Sequence, residues 1–86
     1  MENQTIKIVL LPTKEILISQ IEEVSADIGE PDCKLVEPFA INPGLFLEPW
    51  LVEYTNQNYF LIHSDKILTI IEPNSTILEK YKGLLT

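Results

Sequence analysis

The chain predicts an all-β domain with one C-terminal α-helix, its sheet either curled into a barrel or covered by a neighbouring subunit. Three observations carry this. Short β-branched and aliphatic runs alternate with turn-formers along most of the length. The one segment with helical spacing, TILEKYKGLL, comes last. The central runs are apolar on both faces, which suits a sheet that curls on itself or is covered by a neighbouring subunit.

The first run, TIKIVLL, closes at Pro12-Thr13-Lys14. The second, EILISQIEEVS, sets Leu17, Ser19 and Ile21 on one face and Ile16, Ile18 and Gln20 on the other. The loop SADIGEPD leads into CKLVEPFAI, and NPG announces a sharp turn before LFLEPWLVEY. Pro38 and Pro49 interrupt these segments. Proline cannot donate to a ladder, so both belong at bulges, bends or edges. WLVEY and YFLIHS, separated by TNQN, read as a hairpin or as two halves of one bent element. Glu-Pro recurs at Glu30, Glu37, Glu48 and Glu72 with irregular spacing, so it punctuates the chain rather than marking a repeat.

The last strand, KILTIIE, ends at Pro73, after which Asn74 or Ser75 can cap the helix by accepting a hydrogen bond from its first turn. Ile77, Leu78, Tyr81, Leu84 and Leu85 form the apolar stripe of that helix, with Glu79, Lys80 and Lys82 towards the other side. Gly83 weakens its final turn and favours fraying. The expected organisation is one domain, residues 1–86, with the strands over about 5–72 and the helix over about 74–84.

Composition narrows the function. At 86 residues the core is modest and gains from partner subunits, and a deep, self-contained enzyme cleft is not expected. Six lysines and no arginine face thirteen acids, and the formal charge of −7 works against non-specific attraction to RNA or to an anionic membrane. Only a locally basic patch would support nucleic-acid binding. No apolar stretch reaches the ~18 residues a membrane span needs. The N-terminal MENQTIKIVLL lacks the basic and apolar segments of a secretory signal, and the lone Cys33 suits a reducing compartment, so a cytoplasmic location is expected.

Chemical motifs are few. No P-loop, glycine fingerprint, paired histidines or paired cysteines occur. His63, Ser64 and Asp65 have the residue types of a hydrolytic triad, but sequence neighbours seldom converge on one substrate atom, and these types are common in turns. A metal centre from His63, Cys33, Asp32 and Asp65 would need two loops to meet. The expectation is therefore a non-enzyme with no cofactor and no metal. Phe46, Trp50 and Tyr54 either form a surface platform for a peptide or base, or lid a small core or subunit interface.

The run FLIHSDKILTI, Phe60 to Ile70, resembles the second motif of the Sm-like (LSm) family. There an aliphatic strand ends in Ile-Arg-Gly, a short polar turn follows, and an aliphatic strand resumes. Ile62, His63 and Ser64 stand in the place of that Ile-Arg-Gly. Leu17, Ser19 and Ile21 follow the spacing of valine, glycine and leucine in the family's second strand. Glu30-Pro31-Asp32-Cys33-Lys34-Leu35-Val36 resembles its Asp-x-His/Tyr-Met-Asn-Leu-Val. The whole chain is also similar to short Sm-like proteins of T4-type cyanophages, which share the run from His63 to the C-terminal helix.

This resemblance implies a strongly bent, five-stranded Sm-like (SH3-like) open barrel whose fourth and fifth strands pair with those of neighbours, closing a homo-oligomeric ring of about five to seven subunits. Phe60, Leu61, Ile62, Ile67, Leu68 and Ile70 would then form the subunit interface. Single-stranded RNA would bind near the pore through Asp32, Lys34, His63, Ser64 and Lys66, in a host-cell cytoplasm if the chain is of phage origin. The three places through which the family reads uracil depart from its pattern. Asp32 replaces a stacking aromatic and has no π-face, where stacking is worth about 1–3 kcal/mol per base. Lys34 replaces a base-reading asparagine and His63 an arginine. The alternative implied by the acidic charge is a structural or protein-binding ring that kept the fold and lost its RNA site.

Overall fold

In the computed structural model, which describes residues 6–85, the chain forms β1 (Ile6–Leu10), β2 (Ile16–Glu23), β3 (Cys33–Asn42), β4 (Phe46–Pro49), β5 (Tyr59–Ile62), a single 3-10 turn (Ser64–Lys66), β6 (Thr69–Ile71) and α1 (Ser75–Leu85). The expected start of the first strand at Thr5 lies outside the described residues. All strand pairs are antiparallel, in one sheet of order β4-β3-β2-β1-β6, with β5 also on β3.

The sheet has six strands rather than the expected five, and register explains the difference. β4 pairs with Phe39–Asn42 of β3, while β5 pairs with Cys33–Val36. Both therefore run along the same side of β3 in the same direction, as one edge interrupted by residues 50–58. WLVEY, expected as strand, is that interruption. Trp50 still bonds the edge through its N–H to Pro38 O at 2.9 Å, but Leu51 turns to a left-handed φ of 60°, and the N–H groups of Tyr54 and Thr55 fold back onto Leu51 O. The chain regains β3 where Glu37 N–H donates to Asn58 O at 2.7 Å.

A bulge in β3 decides which side chains meet. Ile18 lies opposite Phe39 and Gln20 opposite Val36, so one residue of β2 faces two of β3, Glu37 and Pro38. Glu37 takes φ 55°, and Pro38 removes a donor where the ladder is already broken. The extra residue flips the alternation. Cys33 and Leu35 pack in one cluster with Val9, Leu11 and Leu17, while Phe39 packs in the other with Ile6, Ile18, Ile77 and Tyr81. Three consecutive residues of β2, Leu17, Ile18 and Ser19, are each 0% exposed, so both faces of that strand are covered. Its second cover is α1, where the sequence pointed to barrel closure or a neighbouring subunit.

Asn74 is the cap: its Oδ1 accepts from Ile77 N–H at 3.0 Å. Ile77 and Tyr81 are buried, Leu78 and Leu85 flank them, and Leu84, expected in the stripe, is 52% exposed. The helix continues through Gly83 to Leu85. Tyr81 meets Phe39 edge-on at 5.7 Å, and its hydroxyl donates to Glu37 O at 2.8 Å. Val36 O, 3.3 Å from that hydroxyl, also accepts from Ser19 Oγ at 3.1 Å. Two hydroxyls thus satisfy the carbonyls that the bulge withdraws from the ladder.

Candidate functional site

Two loops distant in sequence meet at the Ser64–Lys66 turn. β2 and β3 are joined by residues 24–32, and antiparallel pairing of β5 with β3 brings Ile62 opposite Cys33, so the turn after β5 lands beside Asp32. Asp32 Oδ1 accepts from Ser64 N–H and Oδ2 from Ser64 Oγ, each at 2.8 Å. These two bonds, the backbone one foremost, hold the Asp32 carboxyl below its ordinary value, with a smaller contribution from His63. His63 Nε2 lies 3.1 Å from Gly29 O. Gly29 has φ 89°, a conformation that glycine adopts without strain, and this aims its carbonyl at the ring.

Of the five residues expected to contact RNA, three therefore converge: Asp32, His63 and Ser64. Lys66 ends the same turn and has no ion-pair partner among the described residues. Lys34 stands apart. Its neighbours Cys33 and Leu35 face the core, so alternation puts Lys34 on the opposite face of β3, where its ammonium sits 5.1 Å from the centre of the Tyr59 ring. The hydroxyl of Ser64 donates to Asp32 rather than to His63, which is not a nucleophile–base arrangement. Among the described residues, no three His, Cys, Asp or Glu side chains gather as a metal site would require. Burial raises the Cys33 thiol above its ordinary value, and the nearby Asp32 and Glu23 charges push the same way.

Of the six residues expected at an interface, three turn inward and three are exposed. Phe60 and Ile62 oppose Leu35 and Cys33 and turn inward, Phe60 meeting Trp50 edge-on at 5.2 Å, and Ile67 joins the same cluster. Leu61, Leu68 and Ile70 face solvent at 52%, 65% and 47% exposure, beside Tyr59 and Ile71. β5 pairs only with β3, and β6 only with β1, so each keeps an unpaired side among the described residues. No described helix is long and apolar enough to cross a membrane.

Trp50 lids a core, as one of its two expected roles has it, while Phe46 and Tyr54 are exposed at 71% and 80%. The Trp50 indole N–H donates to Glu15 Oε2 at 3.4 Å, and Glu15 also accepts from Thr13 Oγ1 at 3.1 Å. Leu11, Pro12, Thr13, Glu15, Trp50, Leu61, Ile62, His63 and Lys66 line a surface hollow there. Glu15 and Thr13 were not among the expected site residues. Their only sequence signal is their position in the turn before β2.

No curated protein matches the chain. A family profile does, over residues 4–86, and the chain belongs to the family described as "Family of unknown function (DUF6561)".

Proposed function

We propose that this protein is a non-enzymatic, Sm-like subunit that associates with copies of itself into a closed ring of about five to seven, and that the loops around its Ser64–Lys66 turn contact single-stranded RNA at the pore. The observation that carries the assembly is the pair of open edges. The strands on either side of the turn, β5 and β6, each lack a partner on one side among the described residues, and Leu61 on β5, Ile70 on β6 and Leu68 just before it are exposed to water. An uncovered apolar edge invites pairing with another chain, and a head-to-tail contact that closes on itself leaves no edge over. The strand order supports the Sm-like reading, because the strands before and after the polar turn are the two edges, as the family's fourth and fifth strands are.

The RNA contact rests on His63 and Lys66, repeated once per subunit so that weak contacts add up. One observation favours the rival, a ring that binds protein instead: the Asp32 carboxylate, held ionised by Ser64, repeats around the pore as well and repels phosphate. Fluorescence anisotropy with short U-rich and A-rich RNA separates the two. Binding that weakens in His63→Ala supports the RNA contact, and no binding near 50 mM salt, where phosphate contacts are strongest, leaves the protein-binding ring. Light scattering on the eluting protein tests assembly, and a stable monomer at micromolar concentration contradicts it.

A further inference from the structure

The Ser64–Lys66 turn separates two hollows of opposite character. On the side of Ser64, the charged lining residues are Glu23 and Asp32. On the side of His63 and Lys66, the hollow is lined by apolar Leu11, Pro12, Leu61 and Ile62, by the aromatic Trp50, and by the charged or polar Glu15, His63 and Lys66. The hollows along the 50–58 segment carry Glu37 in one case and Glu48 and Glu53 in the other, again only acidic charge.

We propose that the hollow between the β1–β2 turn and the Ser64–Lys66 turn is a nucleotide site, taking a nucleobase beside Trp50 and its phosphate at Lys66 and His63. This deepens the RNA reading above and rests on it. Every base has a π-face and is tolerated against aromatic and aliphatic walls, so the lining suits a base of any sequence. Glu15 is already oriented by Trp50 and Thr13, and a carboxylate has lone pairs left over for a base N–H. The Lys66 ammonium has no partner among the described residues, and the Gly29 carbonyl keeps the His63 ring in place. The position occupied by Asp32 offers none of this, since both its oxygens are engaged and its charge is wrong. Base insertion thus moves one step along the turn, from the side of Asp32 to the side of Trp50.

Trp50 is the only tryptophan, and its emission reports on the two hollows it lines, of which only this one carries a lysine, Lys66. Titration of the whole protein with hexauridylate and hexaadenylate at about 50 mM salt is expected to give saturable quenching of that emission. Lys66→Ala is expected to weaken it roughly five- to tenfold and to flatten its salt dependence by about one unit of slope. Lys82→Ala, an equal loss of charge on α1, is expected to stay within about twofold. Uridine 5′-monophosphate as a second probe tells free nucleotide from RNA: quenching by either supports the site, and the tighter of the two identifies the source. Quenching that responds to Lys34→Ala and not to Lys66→Ala overturns the proposal. So does RNA binding by anisotropy with unchanged Trp50 emission, which leaves the RNA reading standing. No binding in either readout removes both, and light scattering on the same sample reports the ring independently.

Discussion

At the scale of single residues, two hydroxyl–carbonyl and carboxylate contacts hold the parts of the molecule that β pairing leaves loose. Tyr81 is buried and donates to Glu37 O, and burial also raises its phenol above its ordinary value, so it remains a donor throughout the neutral range. Tyr81→Phe keeps the ring against Phe39 and strands the bulge carbonyl. Urea denaturation is expected to show a loss of about 1–2 kcal/mol with the slope unchanged, the range for a buried acceptor left unsatisfied. Asp32 is the acidic counterpart. Its folded value lies below the ordinary 3.8, so the stability it contributes is complete above 3.8 and is lost as pH falls through the folded value. The Ser64 amide resonance is accordingly expected to stay fixed at neutral pH and to move only below 3.8. Asp32→Asn should abolish that movement, and a midpoint above 3.8 would contradict the clamp. The resemblance placed Asp32 and Ser64 in one site, but neither the bonds between them nor the Tyr81–Glu37 bond is legible in the residues. Asp32 and Ser64 are thirty-two positions apart, and their meeting depends on the register of β5 against β3, which alternation in sequence leaves open.

At the scale of elements, structure set by a local rule is legible in the sequence, and structure set by tertiary pairing is not. Pro38 marked a bulge correctly because the missing donor is a property of proline itself. That Glu37 would take the left-handed φ, and that the flip would send Cys33 and Phe39 to different clusters, has no signal in the residue types. WLVEY has strand composition throughout, yet its left-handed Leu51 and inward Trp50 make it an excursion from the edge. The helix lay nearer to expectation, since caps and stripes are local. Of the two possible caps, Asn74 supplies the bond. Asn74→Ala leaves Ile77 N–H without its side-chain acceptor and is expected to cost about 1 kcal/mol. Because α1 covers Ile18 and Phe39, that loss should appear in the global unfolding transition, and hydrogen exchange confined to the first helical turn would show instead that the helix opens alone.

At the scale of the whole molecule, the two faces of the sheet and its two edges have different fates. Both faces of β2 are served within the chain, one by the cluster of Val9, Leu11, Cys33 and Leu35 and one by α1, so its apolar excess needs no partner. The edges are not served. Leu61 on β5 and Leu68 and Ile70 around β6 remain exposed, and they are aliphatic where an isolated edge strand is usually guarded by charge. Their burial between subunits would gain about 25 cal/mol for each Å² removed from water, before the losses of association. Ile70 pairs in register with Val9 through the backbone, so Ile70→Lys keeps the β1 ladder while placing a charge on the open side. Circular dichroism is expected to retain the sheet and helix of the parent chain. Light scattering is expected to fall from a ring mass to that of one 9.8 kDa chain, and the melting temperature, which rises with concentration for an assembly, should become independent of it. A variant that stays assembled with an unchanged melting curve would mean that β6 faces solvent in the ring and that the subunits meet elsewhere.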